Sequence, residues 1–214
     1  MEDNIDDILF NYKFVVIGAS DTGKTNLINR YVNNEYDNHS YHTTGATFAR
    51  KTVTLDNDET INCDIWDTAG SERYRSLLRI FIKNSHGIII VYDISRKYTF
   101  DEIRYYLDLI DYARPNVIVA LVGNKIDIEY DDDYYYHREV TTEEGQKFAD
   151  ENNFLFYETS GKDGTNVNEL FNDLVDRIFL NDPDIQQIQI NTVTINNTNT
   201  NTNKTRPPKR GCLK

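Results

Sequence analysis

Eight residues, Gly18-Ala19-Ser20-Asp21-Thr22-Gly23-Lys24-Thr25, constrain this chain more than any others. They match G-x-x-x-x-G-K-[ST] and directly follow the apolar run Phe14-Val15-Val16-Ile17. A phosphate group needs hydrogen-bond donors without bulk, and a tight glycine-flanked loop turns successive backbone N–H groups inward. Leu27, Ile28, Tyr31 and Val32 follow at helical spacing. The loop therefore opens a helix whose positive dipole end faces an anion. Lys24 is placed to reach the β and γ phosphates, and the Thr25 hydroxyl to sit on Mg²⁺. Strand, loop and helix in this order imply a nucleoside triphosphate site.

The rest of the chain supports an α/β fold. Strand-length apolar runs recur at Phe14–Ile17, Ile61–Trp66, Gly87–Tyr92, Val117–Val122 and Phe154–Tyr157. Between several of them lie helical patterns. Val167, Leu170, Phe171, Leu174, Val175 and Ile178 follow i, i+3, i+4, i+7, i+8, i+11; Phe100, Ile103, Leu107 and Ile110 form a second stripe. Thr141-Thr142-Glu143-Glu144 reads as a capping box that opens a helix through Phe148. Strands that are apolar throughout, alternating with helices, imply a mostly parallel sheet covered on both faces. Ala49–Leu55 and Ile61–Trp66 are joined through Asp56-Asn57-Asp58-Glu59, a turn signal that makes this one pair antiparallel.

Which base the site takes is not decided by the phosphate loop. Gly123-Asn124-Lys125-Ile126-Asp127 follows the strand Val117–Val122, where ligands of such folds lie. A carboxylate at Asp127 accepts both N–H groups on the guanine edge, and adenine offers a mismatched pattern. A buried polar group left unmatched costs ~1–3 kcal/mol, enough to exclude the wrong base.

With these two motifs stand Trp66-Asp67-Thr68-Ala69-Gly70, Glu158-Thr159-Ser160-Gly161-Lys162, and Thr43-Thr44-Gly45 ahead of Phe48. Together they resemble the five guanine-nucleotide segments of Ras-superfamily GTPases, in the family's order, over roughly residues 10–180. Trp66–Gly70 followed by Glu72-Arg73-Tyr74 is most similar to the Rab branch. The resemblance implies the three-layer P-loop GTPase fold, with a mostly parallel six-stranded sheet, one antiparallel strand and helices on both faces. It implies GTP and GDP with Mg²⁺ as ligands. Thr43 would complete the Mg²⁺ shell, Asp67 would hold the ion through water, and Gly70 would offer its N–H to the γ phosphate. Tyr36 would pack at the purine, and Ser160-Gly161-Lys162 would support the base, although the family usually has alanine where Gly161 stands. Phe48, Trp66 and Phe81 fall where Rab proteins carry an aromatic surface read by effectors; core packing is the competing reading. Two loops, roughly Asn34–Thr47 and Asp67–Leu78, would be tethered by γ phosphate and Mg²⁺ and relax on hydrolysis. Effectors, an exchange factor and a GTPase-activating protein are the implied partners of a monomeric switch in membrane traffic.

Besides Gly161, three positions and one segment depart from the family. Ser71 stands where glutamine orients the attacking water. Serine is too short to do this, so intrinsic hydrolysis is expected to be slower by roughly ten- to a hundredfold. Asp21 puts a carboxylate in the phosphate loop, where an uncharged residue, often glycine, is usual, and faster nucleotide release is expected. Glu129–His137, with three aspartates and then Tyr134-Tyr135-Tyr136, looks like an insertion of about half a dozen residues. Thr44 replaces the usual isoleucine, which leaves the effector's identity open. The competing functional readings are a GTP-loaded binding module with vestigial hydrolysis and a nucleoside or nucleotide kinase.

Net charge is −12, yet Lys204, Arg206, Lys209, Arg210 and Lys214 crowd the end. An acidic body argues against nucleic acid as a partner. The basic end fits an anionic membrane surface, or is a solvated tail. The start is acidic and lacks a long apolar core, so it does not read as a secretory signal, and a cytosolic chain is expected. The two cysteines, Cys63 and Cys212, give no disulfide framework. Asn191–Asn203 is almost pure Asn and Thr, too polar to offset the entropy of ordering. We place the domain boundary near Leu180, with a disordered tether over 181–214. Cys212, two residues from the end and beside Lys209-Arg210, is the candidate lipidation site that would hold the chain on the cytoplasmic face of a membrane; a free exposed thiol is the alternative. It fits no standard prenylation ending.

Overall fold

The computed structural model describes residues 8–38, 43–55, 59–130 and 137–182. In chain order these form β1 (Ile8–Ile17), α1 (Lys24–Asn33), β2 (Ala46–Thr54), β3 (Thr60–Thr68), α2 (Arg75–Ile82), β4 (Gly87–Asp93), α3 (Lys97–Asp101), α4 (Ile103–Ile110), β5 (Ile118–Asn124), α5 (Thr142–Asn152), β6 (Leu155–Thr159) and α6 (Val167–Asn181). The sheet order is β2-β3-β1-β4-β5-β6. β2 and β3 pair antiparallel, and every other neighbouring pair is parallel.

Alternation along β1 shows how the layers arise. Val15 and Ile17 point into a core shared with Leu78 and Ile82 of α2, Phe100, Ile103, Tyr106 and Leu109 of α3 and α4, and Ala149 of α5. Phe14 and Val16 are equally buried but belong to the opposite face. That face receives α1 and α6, where the Tyr31 ring stacks on Phe171 at 4.0 Å. Every residue of β4 is buried, which explains its unbroken apolar run. Each of Ile88, Ile89 and Ile90 contributes ~1.5–3 kcal/mol by leaving water.

Several expectations shift at their edges. β1 extends back to Ile8 and β3 on to Thr68, because paired backbone continues past the apolar residues. The predicted antiparallel strand at Ala49–Leu55 runs Ala46–Thr54. β5 begins at Ile118 and β6 at Leu155, one residue later than their apolar runs; α5 runs on past Phe148 to Asn152. The stripe at Phe100–Ile110 is corrected. Its buried members are Phe100, Ile103, Tyr106 and Leu109, with Leu107 and Ile110 half-buried, because the segment breaks into two short helices at Glu102. The capping box forms as expected: Thr141 Oγ1 accepts from Glu144 N, and a Glu144 carboxylate oxygen accepts from Thr141 N. Residues 56–58 of the β2–β3 turn and 131–136 of the insertion lie outside the described residues, as does everything after Asp182, Cys212 included.

Candidate nucleotide site

β1 delivers the chain to the phosphate loop at the carboxyl end of the sheet, and α1 starts at Lys24. Gly23 has φ +88°, and a Cβ there would sit 2.4 Å from Asn124 Nδ2. Only glycine permits both the left-handed turn and the approach of the base-recognition segment. Lys24 is buried, and its Nζ donates to the Gly18 and Ala19 carbonyls at 3.0 and 2.6 Å. Burial lowers its pKa to about 8 against the opposing pull of Asp67 and Asp21. An ammonium taken from water with carbonyls for company is undercharged on its anionic side. A phosphate supplies that missing charge.

Three oxygens converge beside it. Thr25 Oγ1 donates to Asp67 Oδ2 at 2.7 Å, Thr43 Oγ1 donates to the same atom at 3.3 Å, and the two hydroxyls lie 3.0 Å apart. Asp67 is buried, and desolvation pushes its carboxyl up, against the hydrogen bond from Thr25 and the charge of Lys24. Two hydroxyls and a carboxylate are hard oxygen donors that suit Mg²⁺. Among the described residues no cluster of three His, Cys, Asp or Glu side chains is present. A Mg²⁺ here would complete its shell with phosphate oxygens and water.

Asn124 joins the distant parts. Its Nδ2 donates to the Thr22 carbonyl at 2.8 Å, and its Oδ1 accepts from Thr159 Oγ1 at 3.1 Å and from Gly161 N at 3.2 Å. Asp127 sits on the short turn Ile126–Tyr130. Ser160 Oγ donates to Asp127 Oδ1 at 2.7 Å, and Lys162 Nζ lies 3.7 Å from Oδ2. One carboxylate oxygen is thus fixed by a hydroxyl, which aims the group. A Cβ added at Gly161 would stand 3.2 Å from Leu27 N and 3.3 Å from the Asn26 carbonyl carbon, a tight fit in which the α1 backbone must give by a few tenths of an ångström.

These parts line one cleft of about 570 Å³, within the usual range for a small-molecule site. Ser20, Asp21, Gly23, Lys24, Thr25, Tyr36, Thr43, Gly70, Ser71, Asn124, Lys125, Asp127, Gly161 and Lys162 face it. Gly18, Ala19, Thr22, Asp67 and Ser160 do not line it and support those that do. Gly70 lies against the phosphate loop so closely that a Cβ would meet the Ala19 carbonyl at 2.5 Å. Asp21 has φ +63°, a conformation that glycine adopts freely and Asp or Asn tolerates. That accounts for the glycine usual at this position.

Phe48, Trp66 and Phe81 form a separate contiguous group. Phe48 packs edge-on to Trp66 at 5.5 Å, and Trp66 lies 5.6 Å from Phe81. Phe48 is half exposed, whereas the other two are partly buried.

Sequence reasoning missed three supports. Arg30 on α1 donates to the Gly161 and Lys162 carbonyls at 3.2 and 2.5 Å. Thr159 holds Asn124. Asp93 takes Lys125 Nζ at 2.7 Å. A charged residue closing the buried β4 run was the available signal for Asp93, because strand ends of this sheet face the crevice. Nothing in the sequence marks Arg30.

The profile of the Ras family matches residues 13–180. Among curated proteins, "GTP-binding protein ypt3" of Schizosaccharomyces pombe is 41% identical over 175 residues, covering 81% of this chain and 78% of the relative. The chain is a small GTPase of the Ras family, on its Rab branch. "Ras-related protein Rab-5A" of Dictyostelium discoideum is 38% identical, covering 79% of the chain and 82% of the relative. "Ras-related protein Rab-25" of Canis lupus familiaris is 39% identical, covering 81% and 79%. The reaction of this GTPase is hydrolysis of GTP to GDP and phosphate, and the kinase reading is set aside. No described helix is long and apolar enough to cross a membrane.

Proposed function

We propose that this GTPase is a membrane-traffic switch in which the cleft grips GTP or GDP and the loops around it change with the γ phosphate. The observation that carries the reading is the Asn124 bridge, which holds the phosphate loop, the base-recognition turn and the Ser160 segment around one space. Backbone N–H groups from Gly18 to Thr25 and the Lys24 ammonium hold the phosphates. Asp127 reads the guanine edge, with Ser160 and Lys162 steadying it; Lys125 walls the cleft, and Tyr36 closes over the purine. Thr25 and Thr43, with Asp67 through water, would hold Mg²⁺, which would screen charge between the phosphates. Gly70 N–H and Thr43 lie on the two loops that the γ phosphate tethers, so its loss frees both.

Hydrolysis requires an attacking water held in line. Ser71 lines the cleft, but its hydroxyl donates to Glu72 Oε2 at 3.3 Å, and its side chain is too short to replace a glutamine amide. The intrinsic rate is therefore low. The aromatic group Phe48–Trp66–Phe81 abuts both loops and is the surface that effectors read. Residues beyond about 180 serve as a polar tether, and lipid on Cys212 beside a basic end supplies the two signals that stable attachment requires.

Ser71 also motivates a second reading, a GTP-loaded binding module whose hydrolysis is vestigial. Nucleotide content of the purified protein, with turnover measured in the presence and absence of a Rab-type activating protein, separates the two. Bound GDP and stimulated turnover support the switch. Bound GTP with no stimulation supports the module.

A further inference from the structure

α1 ends at Asn34, whose left-handed backbone (φ +56°) turns the chain out of the helix and into the first of the two loops around the cleft. Every residue from Asn33 to Asn38 is exposed, so apolar burial does not hold this stretch. Polar side chains of α1 do. Asn26 grips the Asp37 backbone at two points: its Nδ2 donates to the Asp37 carbonyl at 3.0 Å, and its Oδ1 accepts from Asp37 N at 3.1 Å. A side-chain amide that meets both the N–H and the C=O of one residue pairs with it as a neighbouring strand would.

Arg30, one turn further along α1, holds the same stretch at its root. Its Nη1 donates to the Asn34 carbonyl at 3.0 Å and to Asn34 Oδ1 at 3.1 Å. The rest of the guanidinium reaches the base-support loop, with Nε donating to the Gly161 carbonyl and Nη2 to the Lys162 carbonyl. A planar fork of five donors can serve two backbone segments at once. One arginine thus joins the loop that would support the base to the turn from which Tyr36 springs.

Tyr36 lies between these two anchors and lines the cleft. What Asn26 and Arg30 grip is Asp37 and Asn34, whereas the groups that would meet a γ phosphate, Thr43 and Gly70, stand on other stretches. From this arrangement we infer that Asn26 and Arg30 are positioning residues for Tyr36: they keep Asn34–Asp37 docked on α1 whether or not the γ phosphate is present. Tyr36 then belongs to the standing wall of the purine pocket, and the γ phosphate acts on this loop through Thr43. A loop freed whole on hydrolysis would expose the purine and let GDP go. A loop pinned as far as Asp37 retains GDP while Thr43 lets go. The inference rests on the guanine-nucleotide reading of the cleft.

The test uses the full-length protein loaded with GDP or with a non-hydrolysable GTP analogue in Mg²⁺. Amide exchange by NMR reads the clamp directly: protection of the Asp37 N–H agrees within about threefold between the two forms, and Asn26→Ala speeds its exchange at least about tenfold. Release of fluorescent GDP into unlabelled GDP, followed by stopped flow, reads the role. Asn26→Ala speeds release roughly five- to tenfold when Tyr36 is present. In the Tyr36→Ala background the same change alters release by less than about twofold. Arg30→Ala, which frees the base-support loop as well, accelerates release in both backgrounds but less in the second. Protection of Asp37 in one nucleotide form alone overturns the inference. So does equal acceleration by either variant in both backgrounds, because the side chain would then act on the site at large and not through Tyr36. Failure of the wild type to take up labelled GDP would overturn the cleft reading itself, whereas uptake without coupling removes only the role of Asn26 and Arg30.

Discussion

Asn124 ties the base-recognition segment to the phosphate loop: its side-chain amide donates to the Thr22 carbonyl at 2.8 Å, across 102 residues of chain. Both ends of the bond are buried. The same amide oxygen accepts from Thr159 and Gly161. A single side chain therefore satisfies groups from three segments and keeps them in register before any ligand arrives.

Asn124→Ala leaves the Thr22 carbonyl, the Thr159 hydroxyl and the Gly161 N–H without this partner. We expect a stability loss of ~2–4 kcal/mol, read by urea unfolding of the nucleotide-free protein, together with faster GDP release. A loss below about 0.5 kcal/mol would mean that the three segments hold their places without it.

Ser71→Gln restores the amide that orients water. Single-turnover hydrolysis of bound GTP is expected to rise by roughly ten- to a hundredfold, ~1.4–2.7 kcal/mol of barrier. GDP release is expected to stay as it was. No gain in rate would show that Ser71 is simply tolerated.

Trp66 is the only tryptophan, and it sits between Phe48 on β2, just after the first loop, and Phe81 on α2, whose start belongs to the second. Its emission should differ between GDP and a non-hydrolysable GTP analogue. Phe48→Ala should shrink that difference while leaving nucleotide affinity within about twofold, since Phe48 does not line the cleft. Identical spectra in both states would detach this aromatic surface from the switch.

Cys63 is fully buried on β3, and burial first of all pushes its thiol up to about 12. The unfolded thiol ionises near ~8.5. Its contribution to stability is thus full below that pH and is lost as pH climbs toward 12, because the unfolded state releases its proton first. Tyr31 is shifted upward by burial too and acts in the same sense, so the comparison must be a difference. Cys63→Ala should lose less stability than wild type between pH ~8 and ~10. Iodoacetamide should leave Cys63 unmodified in the folded protein. Rapid alkylation of Cys63 under native conditions would contradict the buried assignment.

Much of this was legible in the residues. The loop from Gly18 to Thr25 and the turn at Asp127 were readable because each chemistry demands particular residue types at fixed spacing. β4 was readable because burial on both faces leaves an unbroken apolar run. The helical stripe after Phe100 was misread because Tyr106 is an amphipathic residue that the core accepts, while Leu107 turns half outward. Arg30 was invisible for another reason, and Asp93 showed only as a charge closing an apolar run. Their roles depend on which strands and helices become neighbours, and charged residues in a single sequence carry no mark of that. The left-handed backbone at Asp21 explains, after the fact, why glycine is common there.

Guanine selection by Asp127 is the central claim, and titration calorimetry on nucleotide-free protein tests it most directly. GDP is expected to bind at least about a hundredfold more tightly than ADP, from two matched N–H contacts worth ~1–3 kcal/mol each. Asp127→Ala is expected to abolish that margin. Equal affinity of the wild type for GDP and ADP would contradict the account.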